Sequence, residues 1–269
     1  MLIYDSHTHS RFSEDGCEEP RDMAEAALRN GISGICITDH YDCDEIPLFG
    51  DLQRVGHTRD AVAALQGEYE GRLTVRRGIE LAQGPMRPDE AAAALAVGSY
   101  DFVLGSVHAA RWKEDFYWVD YKKPPYPLEQ IIREYFEACL TLARWDKVDA
   151  IAHLGYLKRY ATGRDGVPLD YTPCTGLIEE VLRALIETGK ALEINTSGLR
   201  YGLGSLIPEV ETLRRYRELG GELVTIGSDA HRAVDIGAGH REAQEALRAA
   251  GFRYFAFYRT RRPEMIPLE

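Results

Sequence analysis

The feature that most constrains this fold is a regular alternation of short apolar segments with longer segments of helical periodicity. Terminal signals support the helices: Pro20 opens the first helical segment and Gly31 follows its end. Because a repeated strand–helix unit builds a parallel sheet covered by helices, seven or eight repeats in 269 residues favour a closed barrel. An open doubly wound sheet is the alternative, but no G-x-G-x-x-G turn follows the first strand.

We therefore predict an α/β fold, a TIM-like barrel whose active site lies at the C-terminal face of its strands. No linker-like or low-complexity tract divides the chain, so we expect a single domain over residues 1–269. The predicted strands are residues 2–4, 34–38, 74–80, 102–107, 150–152, 191–195 and 223–227, with 254–257 as a candidate eighth. The predicted helices are residues 20–28, 59–69, 88–97, 128–145, 175–187, 207–219 and 238–249.

Charge and composition limit the classes of function. Forty-three acidic and 32 basic residues leave a net charge of −11, which disfavours general binding to nucleic acid or anionic membranes. The sequence contains no apolar run of about 18 residues, and its first residues do not form a signal-peptide pattern. Five scattered cysteines without a C-x-x-C pair favour a reducing compartment, so we expect a cytoplasmic protein.

Histidines are concentrated where predicted strands end. The C-terminal ends of barrel strands meet at one face, so side chains placed there converge. Glu80 ends the third predicted strand and supplies a carboxylate at the same level. We interpret the other two histidines, His57 and His240, as solvated surface residues. The six histidines at strand ends are His7, His9, His40, His108, His153 and His231.

These residue types predict a metal site. Neutral imidazoles and carboxylates are ligands for zinc, manganese and iron. A single histidine at a strand end is usually a polar residue that binds nothing, but six of them together with acidic residues indicate a ligand set. The number of donors exceeds the needs of one ion and suits two or three divalent ions. The predicted ligands are His7, His9, Asp15, His40, Glu80, His108, His153, Asp229 and His231.

The ordered motifs at residues 7–9, 38–40, 78–80, 105–108 and 227–231, with the segment around His153, resemble those of the PHP (polymerase and histidinol phosphatase) family. The match is closest to its stand-alone histidinol-phosphatase branch. The resemblance implies a distorted seven-stranded (β/α) barrel, with residues 254–257 outside the barrel closure. It also implies three ions: one held by His7, His9, Glu80 and Asp229, a second by Glu80, His108 and His153, and a third by Asp15, His40 and His231.

The expected reaction is hydrolysis of a phosphate monoester. Motifs for an aspartyl, cysteinyl or seryl nucleophile and for a Walker A loop are absent from the sequence, which favours attack by a hydroxide that bridges two metal ions. The resemblance implies L-histidinol phosphate as the small phosphorylated substrate. Another PHP phosphoesterase acting on nucleotides or phosphotyrosine, or a metal-binding protein without catalysis, remains an alternative. We predict catalytic roles for Glu80, Asp229 and His231.

The predicted substrate contacts also follow strands. Arg159 and Arg200 lie after the fifth and sixth predicted strands, and a guanidinium group can hold phosphate oxygens through two hydrogen bonds. Asn195 and Ser106 complete the predicted substrate-binding set. The aromatic segment at residues 111–127 is long enough to cap a pocket, with Glu114 or Asp115 facing an ammonium group, or it is a structural surface loop.

Overall fold

The computed structural model of the chain describes residues 2–43, 50–109 and 115–268. The strands are β1 Tyr4–Thr8, β2 Gly34–Ile37, β3 His40–Asp42, β4 Thr74–Ala82, β5 Phe102–Ser106, β6 Ala150–Ile151, β7 Ala191–Asn195, β8 Val224–Gly227, β9 Tyr254–Arg259 and β10 Arg262–Pro267. The α-helices are α1 Pro20–Arg29, α2 Leu52–Glu68, α3 Pro88–Leu95, α4 Leu128–Arg144, α5 Thr175–Thr188, α6 Val210–Glu218 and α7 His240–Ala249. None of these described helices is long and apolar enough to cross a membrane.

Seven parallel strands form a nearly closed barrel. They pair in the order β1, β2, β4, β5, β6, β7 and β8, and the short strand β3 pairs with the C-terminal half of β4. A backbone hydrogen bond joins the two edges of the sheet just beyond β1 and β8. The N–H of His9 donates to the carbonyl of Ala230 at 2.8 Å. The predicted distorted (β/α)7 barrel is confirmed.

The two C-terminal strands lie outside this barrel. Strands β9 and β10 form a separate antiparallel hairpin, in agreement with the placement of residues 254–257 outside the closure. Phe257 of the hairpin is buried in a cluster with Phe102 and Ala191, which are the first residues of their strands. The hairpin therefore packs at the end of the barrel where strands start, opposite the histidine-bearing ends.

Two helices begin three or more residues later or earlier than predicted. Helix α2 starts at Leu52, seven residues before the predicted start, because Asp51 caps it by accepting a hydrogen bond from the N–H of Gln53 at 2.8 Å. Helix α6 starts at Val210 because Ile207 instead exchanges two backbone hydrogen bonds with Asn195. Strand β3 was not predicted, and it carries His40 against Glu80.

Candidate metal centre

Glu80 lies at the centre of a buried cluster near the end of β4. Its Oε1 atom is 3.1 Å from Nε2 of His108 and 3.0 Å from Nε2 of His153. Its Oε2 atom is 3.1 Å from Nε2 of His7 and 3.1 Å from Nδ1 of His40. The two oxygens of one carboxylate thus face two separate sets of imidazoles, which is the arrangement of a bridging ligand.

One group of donors forms beside Oε2 of Glu80. The Nε2 atoms of His7 and His9 are 2.9 Å apart, and Oδ1 of Asp229 lies 3.5 Å from Nε2 of His9. Two N–H groups would repel each other at this separation, so at least one of the two nitrogens presents its lone pair. Imidazole and carboxylate lone pairs that converge in this way suit a divalent transition metal.

Another group lies nearer the surface. Asp15 places Oδ2 at 3.1 Å from Nε2 of His231 and Oδ1 at 3.6 Å from Nε2 of His40. The side chain of Asp15 is half-exposed, whereas those of His40 and His231 are largely buried. The structure therefore brings all nine predicted ligands into one cluster: His7, His9, Asp15, His40, Glu80, His108, His153, Asp229 and His231.

Several of these rings are held through the nitrogen that points away from the cluster. Nδ1 of His7 lies 2.6 Å from Oε1 of Glu193, and Nδ1 of His108 lies 3.0 Å from Oδ2 of Asp42. Such partners orient a ligand ring and fix its tautomer. Sequence reasoning missed both carboxylates, and the signal for Glu193 was a charged residue within a mostly apolar strand. Nδ1 of His9 lies 2.9 Å from Oγ of Ser13, and Nδ1 of His231 lies 3.1 Å from the carbonyl of Asp229.

Backbone strain accompanies two of the ligands. His153 and Asp229 have φ angles of 28° and 55°, which side-chain-bearing residues seldom adopt. Hydrogen bonds hold both conformations, since the N–H of His153 donates to Oε2 of Glu193 at 2.7 Å and that of Asp229 donates to the carbonyl of His7 at 2.8 Å. Strain of this kind costs roughly 1–3 kcal/mol per residue and is found most often at functional sites.

The charges of the cluster oppose the effects of burial. Burial alone would raise the pKa of the Glu80 carboxyl, but His7, His40 and His108 hold that pKa well below its usual value. Burial alone would lower the pKa of His108, but Asp42 and Glu80 raise it well above its usual value. The buried carboxylates therefore attract positive charge into the cluster, whether it arrives as protons or as metal cations.

A cavity of about 720 Å³ opens over the cluster. His40, His108 and His231 line it, and aromatic side chains form much of its wall. The guanidinium of Arg159 reaches it from a largely buried position, where Nη1 donates to Oδ2 of Asp229 at 2.6 Å. The remaining lining residues are Asp15, Asp42, Asp115, Tyr117, Trp118, Tyr156, Tyr160, Gly163, Arg164, Tyr201 and Gly202.

The predicted substrate-binding residues do not all lie at the cavity. Arg159 lines the cavity, but Arg200 does not, because its Nη2 donates to the carbonyl of Ser228 at 2.7 Å. Asn195 lies beneath the cluster and donates to Oδ2 of Asp229 at 3.4 Å. Ser106 lines a separate cavity of about 160 Å³, so the structure does not bring it to the metal cluster.

The structure also places the aromatic segment at residues 111–127 in part and the two histidines outside the cluster. Asp115, Tyr117 and Trp118 of the aromatic segment line the cavity, whereas Glu114 lies outside the described residues. His57 is exposed, as predicted. The prediction that His240 is a solvated surface residue is wrong. It is 1% exposed, because the start of α7 packs against β1 and Nε2 of His240 lies 3.3 Å from the carbonyl of Tyr4.

A distorted (β/α)7 barrel with convergent histidines and carboxylates at its strand ends defines the architecture of a metal-dependent hydrolase. The PHP domain matches residues 5–197, and this chain belongs to the PHP family. The probable histidinol-phosphatase of Thermotoga maritima is 32% identical over 254 residues, which cover 94% of this chain and 95% of the relative. The histidinol-phosphatase of Lactococcus lactis is 28% identical over 271 residues, which cover 96% of this chain and 95% of the relative.

A solved structure agrees with these relatives. The crystal structure of histidinol phosphate phosphatase from Lactococcus lactis, complexed with zinc, L-histidinol and phosphate, superposes with a TM-score of 0.81. Its sequence is 25% identical, and the match covers 97% of this chain and 98% of that one. The resemblance drawn from the sequence motifs is confirmed.

Proposed function

We propose that this chain is a metal-dependent phosphomonoesterase that hydrolyses L-histidinol phosphate to L-histidinol and phosphate. The observation that carries the proposal is the convergence of the nine predicted imidazole and carboxylate ligands beneath a cavity that a buried arginine also reaches. The relatives named above support the choice of substrate. We further propose that the cluster holds two or three divalent ions, which are zinc, manganese or iron.

The ligand groups divide into three sets, and the first two share Glu80. His7, His9 and Asp229 would hold one ion with Oε2 of Glu80, and His108 and His153 would hold another with Oε1 of Glu80. The third set is Asp15, His40 and His231. Bound divalent cations supply Lewis acidity, which makes water a competent nucleophile near neutral pH and neutralises phosphate oxygens.

The residues around the ions would position the substrate. Arg159 is fixed by Asp229 and would hold a phosphate oxygen through the rest of its guanidinium group. Glu80 and Asp229 would keep the ligand groups at a constant spacing while charge develops on the phosphate. The Tyr and Trp side chains of the cavity would pack against an imidazole ring and exclude bulk water, and Asp115 would accept hydrogen bonds from the ammonium group.

The test is phosphate release from a panel of monoesters by protein whose metal content is measured on the same sample. We expect kcat/KM to be highest for L-histidinol phosphate, and activity to disappear in excess chelator. A nucleotide or phosphotyrosine that is hydrolysed with a higher kcat/KM would assign the chain to a different PHP phosphoesterase activity. Absence of hydrolysis from metal-loaded protein across the whole panel would leave metal binding without catalysis.

A further inference from the structure

We infer that Glu193 is a positioning residue that fixes the tautomer of His7 and the backbone of His153, and so organises two ligand groups at once. The inference rests on the proposed role of the cluster in metal binding. Glu193 lies on β7, and its side chain is fully buried. It is not one of the nine predicted ligands.

The carboxylate of Glu193 makes hydrogen bonds with three residues. Oε1 lies 2.6 Å from Nδ1 of His7, while Oε2 accepts from the N–H of His153 at 2.7 Å and from Nδ2 of Asn195 at 3.2 Å. The backbone N–H of His153 and the side-chain NH2 group of Asn195 can act only as donors. Oε2 accepts the bonds from these two N–H groups, and Oε1 accepts the third bond when Nδ1 of His7 carries a proton and donates.

This tautomer determines what His7 presents to the cluster. When His7 is neutral and keeps its one proton on Nδ1, Nε2 directs its lone pair toward the space shared with His9 and Glu80, whose Nε2 and Oε2 atoms lie 2.9 and 3.1 Å away. A metal ligand must present a lone pair. Glu193 thus makes His7 competent as a ligand without touching the ion position itself.

Gly227 on the adjacent strand β8 leaves space for the contact between Glu193 and His7. A Cβ atom on Gly227 of β8 would lie 2.3 Å from Oε1 of Glu193 and 2.4 Å from Cβ of His7. Any larger residue at this position would therefore collide with both partners of the hydrogen bond. The glycine that opens the motif at residues 227–231 leaves room for the pair of Glu193 and His7.

Glu193→Gln preserves the shape of the side chain and removes one acceptor. The amide oxygen can still accept from the N–H of His153, but the amide NH2 group then faces Nδ1 of His7. That nitrogen must now accept, so the proton moves to Nε2 and blocks the lone pair that faces the cluster. The opposite orientation of the amide leaves the buried N–H of His153 without an acceptor.

The experiment measures Zn²⁺ binding to apo protein by calorimetry and, in the Zn²⁺-loaded protein, the tautomer of His7 by long-range ¹H–¹⁵N NMR correlation. We expect wild-type His7 to carry its proton on Nδ1, and Glu193→Gln to weaken binding of at least one ion 10- to 100-fold, the range typical of such orienting partners. Thr225→Val is the matched control. Thr225 pairs with Glu193 on the adjacent strand, and its buried hydroxyl has no hydrogen-bond partner among the described residues.

The outcomes separate the inference from the proposed function. Wild-type protein that binds no Zn²⁺ would contradict the proposed function. Wild-type protein that binds Zn²⁺ with the His7 proton on Nε2 would overturn the inference, even if Glu193→Gln failed to fold. Unchanged Zn²⁺ affinity in Glu193→Gln would overturn it as well, as would an equal loss of affinity in Thr225→Val.

Discussion

At the scale of single residues, Glu80 differs from the imidazoles because it has two oxygens to share. Oε1 faces His108 and His153, whereas Oε2 faces His7 and His40. An imidazole offers one coordinating nitrogen to a metal, so loss of one histidine should affect one ion. Loss of the carboxylate should affect two.

We therefore predict that Glu80→Gln lowers the occupancy of two ions together, because a neutral amide is a weaker ligand and bridges poorly. His108→Ala should chiefly lower the occupancy of one ion. Elemental analysis of both variants, purified in the same way as the wild type, checks this difference. Unchanged metal content in Glu80→Gln would exclude a bridging role.

The two candidate arginines provide a second contrast. Arg159 lines the cavity and is anchored by Asp229, whereas Arg200 donates to the carbonyl of Ser228 outside the cavity lining. A charge-assisted hydrogen bond is worth roughly 1.5–3 kcal/mol. Of the two arginines predicted to bind phosphate, Arg159 is therefore the one that lines the cavity.

We predict that Arg159→Met lowers kcat/KM on the order of 10- to 100-fold, because one charge-assisted bond to phosphate is lost. Arg200→Met should chiefly lower the free energy of unfolding, by roughly 1–3 kcal/mol, since it removes a bond that supports the segment after β8. Steady-state kinetics and denaturant unfolding on both variants test the division. A larger kinetic loss in Arg200→Met than in Arg159→Met would reverse the assignment.

At the scale of elements, helix α4 supports the site from outside the barrel. The buried hydroxyl of Tyr135 accepts hydrogen bonds from the N–H groups of Gly155 at 2.9 Å and Tyr156 at 3.2 Å, and donates to the carbonyl of His153 at 3.2 Å. One side chain of the helix thus satisfies the backbone of the strained turn that presents His153. The packing of α4 is therefore coupled to the position of His153 through the hydroxyl of Tyr135.

We predict that Tyr135→Phe lowers the free energy of unfolding by roughly 1–3 kcal/mol, because the buried N–H of Gly155 loses its acceptor. The same change should weaken binding of the ion that we assign to His153, although the hydrogen bonds of the Tyr135 hydroxyl described above reach only backbone groups. Denaturant unfolding and Zn²⁺ titration measure the two effects. Phe136→Leu on the same helix is the control for packing alone, and an equal loss of Zn²⁺ affinity there would refute the coupling.

The fold and the convergence of the predicted ligand side chains were predictable because both follow local patterns. Alternating apolar periodicity indicated the strands, and the position of a histidine after a strand was enough to place His108 at the C-terminal face. The partners Glu193 and Asp42 were not predictable, because their contacts join residues 186 and 66 positions apart. His240 was misjudged for the same reason, since its burial depends on β1 at the other end of the chain.

At the scale of the whole molecule, the net charge of −11 opposes the approach of a phosphorylated substrate. The buried carboxylates of the cluster strengthen this repulsion unless cations neutralise them. Arg159 supplies positive charge at the cavity, but it is already paired with Asp229. We therefore expect bound cations both to activate the nucleophile and to reduce the electrostatic repulsion of phosphate at the cavity.

The central claim is tested most directly by reconstituting chelator-stripped protein with Zn²⁺ or Mn²⁺ while bound metal and phosphate release from L-histidinol phosphate are followed together. We predict no measurable hydrolysis by the stripped protein, and full activity only when more than one ion is bound per chain. Full activity in stripped protein, with no metal found by elemental analysis, would contradict the account.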